Sequence, residues 1–308
     1  MENLVAFHFL SYTQNMKSKP LIMGLVFVVL WSSAFTSAKI IVNHAPPLLA
    51  LGVRFFLTGL FGLILFKLFY KKVSLTKNEW TSLIIFGICQ NSIYLGLNFA
   101  AMKNIDAFLA VIIASLLPIF VALLSWIAKI DRIGFLGIVG MICGLIGCGI
   151  ILSEKLLISS NLIGVIFCTI GVIALAVSTL VVKNIFSDNN QILRIVSLQM
   201  LVGGFPLILG SLILEPWHIK FSTSFILAFL YTCIFPGLFA TLIWFNLVKK
   251  VGAIRAASFH FLNPPMGVLI AVVILGEKIK TTDFLGIIIL MLAIVLIQIS
   301  KTTNNLKI

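Results

Sequence analysis

Residues Val248–Asp283 read VKKVGAIRAASFHFLNPPMGVLIAVVILGEKIKTTD: an apolar span with a proline pair near its middle and a Gly-Glu-Lys boundary at its end. Residues Met102–Arg132, MKNIDAFLAVIIASLLPIFVALLSWIAKIDR, follow the same plan. Moved forward by 146 positions, the earlier stretch lies on the later one without a gap. Lys103 meets Lys249, Ala107 meets Ala253, Ala110 meets Ala256 and Leu116 meets Leu262. Pro118 meets Pro264, Leu123 meets Leu269, and Asp131-Arg132 meets Glu277-Lys278. Self-similarity at a fixed offset marks a repeated structural unit.

The surrounding composition decides the solvent. Of 308 residues, 61% are hydrophobic and 10% charged, and the mean hydropathy is +1.19. Soluble domains carry about a quarter charged residues. No aqueous core absorbs this much apolar surface, so the chain reads as an all-α, polytopic membrane protein with the lipid bilayer as its first partner. The net charge of +13 does not point to nucleic acid. Its Lys and Arg sit singly or in small groups between apolar runs, not as a stripe on a polar face, and no nucleic-acid partner is expected. Cys89, Cys143, Cys148, Cys168 and Cys233 all lie inside apolar runs with no CxxC spacing. They read as small hydrophobic side chains, and neither a metal nor a cofactor is expected.

Ten apolar segments follow one another, at about 20–42, 48–69, 80–99, 105–128, 133–152, 161–182, 192–214, 223–247, 254–276 and 282–299. Each is near the roughly 20 residues that span a bilayer, and spans in lipid must be helical. Short connections leave no room for a soluble domain. Residues 1–19 read as a cytoplasmic tail, 20–152 as the first repeat, 161–299 as the second and 300–308 as a second cytoplasmic tail. No small-residue cleavage site follows Lys17 and Lys19, so the start is not a cleavable signal, and Met16 is an alternative first residue. With the N-terminus inside, fifteen Lys and Arg fall on the cytoplasmic side and five outside, which predicts both termini in the cytoplasm. Five helices per repeat is an odd number, so the second copy inserts upside down. The pairing continues elsewhere: Arg54 falls on Gln199 at an offset of 145, and Lys39 on Lys183 at 144. Inverted repeats are characteristic of secondary transporters, with the substrate site near mid-membrane between them.

Several local patterns carry a family resemblance. They are Trp31-Ser-Ser-Ala-Phe35, Arg54-Phe55, Pro118, and Asn263-Pro264 followed by Leu275-Gly276-Glu277-Lys278. Over nearly its full length the chain resembles the EamA branch of the drug/metabolite transporter superfamily. It departs from the family pattern at Ser32, where Gly is usual, and at Ile130-Asp131, where the first repeat usually has Gly-Glu. The resemblance implies a ten-helix inverted-repeat fold and export of amino acids, purines, drugs or other metabolites.

The candidate functional residues are polar or kinked positions deep in the spans. Gln90, Tyr94 and Asn98 are four apart and share a face, bordered by Asn91; they read as the wall of a polar cavity, or as interhelical hydrogen bonding. Trp31 sits mid-span, away from the interfacial belt, where cavity lining and plain packing both fit. Trp244 is a similar candidate, as are Tyr231 and Asn246. His260 is the one histidine deep in a span, either a proton carrier or a neutral hydrogen-bonded ring. Asn263 can satisfy backbone groups freed by the proline pair. Pro118, Pro264 and Pro265 read as paired hinges or static bends. Arg54 reads chiefly as an orienting residue, with attraction of an anionic group as the alternative, and Lys39 as a side chain that snorkels to the interface. Glycines 134, 137, 140, 144 and 147 make a close-packing face, for contact inside a monomer or across a homodimer.

These patterns predict a secondary transporter that moves a small metabolite, an amino acid among the candidates, across a bacterial inner membrane by alternating access, as an exporter. An integral-membrane enzyme acting on a lipid-like substrate would need clustered nucleophile, acid–base or metal groups, and the acidic residues here are dispersed. A sensor or subunit would bind without net flux.

Overall fold

Hydrocarbon offers a backbone no hydrogen-bond partner, so an apolar chain closes its N–H and C=O groups within helices. The computed structural model describes residues 18–70, 74–152, 161–185, 191–266, 269, 281–300 and 302–304, and these are helical almost throughout. In chain order they form α1 (Ser18–His44), α2 (Pro47–Phe69), α3 (Lys77–Ala101), α4 in two pieces (Ala107–Ser115 and Leu117–Ile127) and α5 (Phe135–Leu152). The second half gives α6 (Leu162–Val181, ending in a 3-10 turn), α7 (Ile192–Leu214), α8 (Thr223–Val251), α9 (Ala253–Ser258, running on through a 3-10 turn at Phe259–Leu262) and α10 (Thr281–Ile299). Among the described residues, α1–α4 and α6–α8 are long and apolar enough to cross a membrane; α5 and α10 are apolar but shorter. Both expected tails lie largely outside the described residues, as does the Gly276-Glu277-Lys278 boundary of the ninth segment. Two three-residue strands, β1 (Asp131–Ile133) and β2 (Thr302–Asn304), pair antiparallel beside the start of α5 and the end of α10.

Without a hydrophobic force between helices in lipid, contact depends on small residues that let backbones approach. The two closest helix pairs show this. α2 packs on α7 with Gly52 against Gly204 and Ile208, and Gly59 against Ser197 and Leu201, so the two run antiparallel. α5 packs on α10 in the same sense, with Gly140 against Ala293 and Ile297, and Gly147 against Gly286 and Leu290. The glycine face read from the sequence is therefore covered within the monomer. The other neighbours also come in matched pairs. α3 packs on α6 as α8 packs on α1, and α3 on α7 as α8 on α2.

Departures from the regular helix recur at matching places. α3 widens into a π-helix over Gly87–Leu95 and α8 over Cys233–Phe239, the latter around Pro236. π turns are rare and concentrate at functional sites. α4 breaks at Leu116, which lets Pro118 occupy the first turn of the following piece, where its missing N–H costs no bond. Leu262, the counterpart of Leu116, ends the 3-10 turn ahead of Pro264.

Charged residues at the ends serve as caps. Both oxygens of Glu215, at the end of α7, accept from the backbone of Leu48 and Leu49 at 3.0–3.1 Å, placing a carboxylate on the positive end of α2. The Lys39 ammonium donates to the carbonyls of Met102 (2.6 Å) and Ile105 (3.0 Å) just past α3, so it is held by protein rather than snorkelling.

The glycine face gives an internally controlled test on one helix. A Cβ at Gly140 would stand 2.8 Å from the Ala293 carbonyl oxygen, whereas one at Gly149 meets nothing within 4 Å. Gly140→Ala is expected to lower stability by about 1–3 kcal/mol, the usual cost of overpacking. Gly149→Ala is expected to leave it unchanged or raise it by up to about 1 kcal/mol through helix propensity. Thermal unfolding of the purified variants in detergent reads both.

Candidate functional site

Four of the residues singled out in the sequence, Trp31, Arg54, Tyr94 and Asn98, meet at one cavity. Its wall comprises Trp31, Ala34, Phe35 and Ala38 of α1, Arg54 of α2, Tyr94, Leu95, Asn98 and Phe99 of α3, with Met102 and Pro236. Its empty space of about 380 Å³ includes volume open to the exterior. Along α1 the lining runs from Trp31, near the helix midpoint, toward the C-terminal end at Ala38. Small residues at Ala34 and Ala38 leave the room, and Gly171 of α6 lets α3 lie close behind it, 2.9 Å from its Cβ position to Asn98 Nδ2.

In the other direction along α1, aromatic rings close the cavity. Phe27 stacks on Trp31 (5.2 Å between centroids) and on Trp244 (4.8 Å). His260 meets Phe27, Trp31 and Trp244 edge-on at 5.3–5.9 Å. Trp31 also lies parallel to Tyr94 at 6.2 Å. Such contacts add about 0.5–1.5 kcal/mol each beyond area burial. Sequence reading missed Phe27, the hub of this cluster, because a fully buried phenylalanine looks like any other apolar residue in a span.

Asn263 holds the histidine. Its Oδ1 accepts from Ser32 at 3.2 Å and its Nδ2 faces His260 Nδ1 at 3.0 Å. An amide NH₂ only donates, so Nδ1 is the acceptor and the ring proton sits on Nε2. The arrangement is that of a neutral, hydrogen-bonded histidine. Neither Asn263 nor His260 lines the cavity; they brace the aromatic floor beneath it.

The polar face of α3 divides. Asn91 Nδ2 donates to the side-chain and backbone oxygens of Gln199, and Ser92 Oγ to the Gly203 carbonyl at 2.7 Å, so these two bind α3 to α7. Asn91 therefore differs from the cavity-bordering role expected of it. Gln90, Tyr94 and Asn98 face elsewhere and keep buried atoms without partners: Gln90 Oε1, the Tyr94 hydroxyl and Asn98 Oδ1. Gln90 is buried one turn from Tyr94 but outside the cavity lining. Trp244 Nε1 is also unpartnered, while the Trp31 N–H points to the Tyr94 hydroxyl outside strict hydrogen-bond geometry, so these two groups partly satisfy one another. In helix eight, Asn246 bonds back to the Leu242 carbonyl (2.9 Å), and the Tyr231 hydroxyl meets Ser33 at 2.6 Å.

Arg54 is the unexpected member. It is 4% exposed and lines the cavity, and its guanidinium lies over the Phe55 ring at 5.1 Å. Its Nε has no partner. The sequence signal was its depth, seven residues into α2, or about 10 Å at 1.5 Å per residue.

Comparison with known proteins places this architecture. A model of the EamA-like transporter family matches residues 18–153 and again 162–299. An uncharacterized transporter of Buchnera aphidicola subsp. Schlechtendalia chinensis is 28% identical over 91% of this chain and 92% of its own length. The uncharacterized transporter YvbV of Bacillus subtilis is 23% identical over 92% of each chain, and the uncharacterized inner membrane transporter YedA of Escherichia coli is 26% identical over 91% of each. A solved crystal structure shares the fold with a TM-score of 0.72, at 17% identity, covering 91% of this chain and 96% of that one. With both halves matched, this multi-pass membrane protein belongs to the EamA-like transporter family.

Proposed function

We propose that this protein is a secondary transporter, not an enzyme, that carries a small metabolite outward across a bacterial inner membrane by alternating access. The observation that carries the reading is the cavity between α1, α2, α3 and α8, whose wall holds buried polar atoms, Arg54 Nε and Asn98 Oδ1 among them, that no protein group among the described residues satisfies. Interiors rarely leave such groups unpaired, because each costs about 1–3 kcal/mol. A cargo or water that pairs with them recovers that cost.

The ten helices form two inverted five-helix halves. The antiparallel packing of α2 on α7 and of α5 on α10, each a helix beside its own counterpart, supports the inversion. With both termini cytoplasmic, the cavity lies toward the outer face and the Phe27–Trp244–His260 floor closes the cytoplasmic side. Export then requires the floor to part. The break at Leu116 and the 3-10 turn at Phe259–Leu262, each just ahead of a proline, give α4 and α9 hinge points for that movement. The hydrogen bond from Asn263 to His260 Nδ1 argues for a facilitator or exchanger, with no proton carried on the ring. An amino acid is among the candidate cargoes, and its entry requires the cavity walls to part.

Five outcomes test the reading. In proteoliposomes screened with pooled radiolabelled amino acids and nucleobases, the protein is expected to give saturable flux of at least one compound. Tyr94→Phe with Asn98→Ala should cut that flux at least tenfold while leaving thermal stability unchanged. Asn91→Leu should instead lose about 1–2 kcal/mol of stability by orphaning Gln199. Unaltered flux in the Tyr94/Asn98 double variant would remove the cavity from the pathway. His260→Asn, which keeps an acceptor near Nδ1, should leave the dependence of flux on pH between about 5 and 8 unchanged; a flattened profile would make the ring a proton carrier. Finally, membrane-impermeant thiol reagents on cells should label His218→Cys from outside and Ser74→Cys only after permeabilisation. Labelling of both from one side would overturn the inverted arrangement.

A further inference from the structure

We infer that Arg54 is the anion-recognition residue of the cavity, and that the cargo is a small monocarboxylate with an apolar body; this rests on the transport reading above. A guanidinium stays charged at every relevant pH, and an uncompensated charge in hydrocarbon is among the costliest groups a span can carry. Buried cations are therefore ordinarily paired. Arg54 is buried, lies about a third of the way along α2, and has no acid beside it among the residues whose side chains are described. Three of those acids stand elsewhere. Glu215 caps α2, Glu79 caps α3 through Thr76 at 2.8–2.9 Å, and Asp106 stands at the start of α4. The ring of Phe55 offers a partial substitute, since cation–π contact is worth about 2 kcal/mol when desolvated.

The second repeat shows what a closed version of this position looks like. Gln199, the counterpart of Arg54, is met by Asn91 in the π-helical stretch of α3. The corresponding π stretch of α8 presents Pro236 and Gly237 to Arg54, with Nη2 3.6 Å from the place a Gly237 Cβ would occupy. Neither residue has a side-chain acceptor. One copy thus fills the junction with an amide pair, and the other leaves a cation facing open space. Trp31 adds an indole N–H, directed to the Tyr94 hydroxyl, on the same wall. A single guanidinium matches one carboxylate bidentately and leaves a dianion half-compensated. The rest of the lining, Ala34, Phe35, Leu95 and Phe99 among it, suits an apolar body.

The test uses the full-length protein in detergent and isothermal titration with phenylacetate and its neutral isostere phenylacetamide. Wild type is expected to bind the acid at least tenfold more tightly than the amide. Arg54→Gln should abolish that preference, and Arg54→Lys should keep part of it. In the absence of ligand, Arg54→Gln should unfold at the same temperature as wild type or higher, because it removes an uncompensated charge. Equal binding of acid and amide by wild type, or a preference that survives Arg54→Gln, overturns the assignment. So does a fall in unfolding temperature in Arg54→Gln with the preference intact, which marks a structural arginine. Acid-selective binding without flux in the proteoliposome screen, with radiolabelled phenylacetate added to its pools, would overturn transport and leave the Arg54 site standing. Flux of neutral solutes alone, unaltered in Arg54→Gln, would do the reverse.

Discussion

Hydrocarbon supplies neither donors nor acceptors, so each polar group taken into the bilayer has to be met by another part of the chain. The backbone meets this through helices. Most side chains follow: Thr179, Ser178 and Ser197 fold back on carbonyls of their own helices at 2.7–2.8 Å. Asn91 closes on Gln199, Lys39 on the end of α3, and Glu215 on the start of α2. Among the described residues, atoms of Gln90, Trp244 and Arg255 are left unpartnered apart from one another, whereas those of Trp31, Arg54, Tyr94 and Asn98 share one wall. Scattered orphans would suggest imperfect packing. Orphans gathered at a cavity describe a surface that expects a polar occupant.

Two kinds of contact hold the helices around that surface, and they suit different tasks. The α2–α7 and α5–α10 pairs meet backbone to backbone through glycine, an arrangement that has little room to slide. The cavity floor is built from rings stacked at 4.8–5.9 Å, and its neighbours α4 and α9 are interrupted just before their prolines. Parting the rings breaks the Ser32–Asn263 hydrogen bond between α1 and α9, whereas parting α3 from α7 breaks the Asn91–Gln199 and Ser92–Gly203 bonds together. Rigid pairs flanking a floor that parts at little polar cost are the ingredients of a gated cavity.

Much of this was legible in the sequence. The apolar segments appear as helices because length and hydropathy alone decide that in lipid. The Pro118–Pro264 offset located the breaks, since a missing N–H acts wherever the residue sits. Polar residues in α3 were identifiable by type, but not by partner. Asn91 and Tyr94 are three residues apart on the same helix, yet one is consumed by α7 and the other opens on the cavity, a division set by the Gly203 contact and the π turn. Nothing in α3 announces that turn, whereas Pro236 gives a cause for its counterpart in α8. Arg54 was legible as a deep cation, but its meaning depends on what stands opposite. Glu215 looks available in sequence until the structure shows both oxygens engaged.

The two copies have kept their scaffold and diverged in chemistry. Pro118 and Pro264 match, and the paired π turns match, but the polar positions do not. At the same offsets, Trp31 corresponds to Leu175, His260 to Ala114, Asn263 to Leu117, and Arg54 to Gln199. Two copies carrying the same polar residues would present two equivalent half-sites and no reason for a cargo to choose between them. Here the cation lies on α2 alone and the bracing amide on α9 alone, so the charge in the cavity is off centre. A molecule with an anionic end and an apolar end then has one favourable way to lie. The two copies share a scaffold, and the divergence of a few side chains sets the chemistry of the space between them.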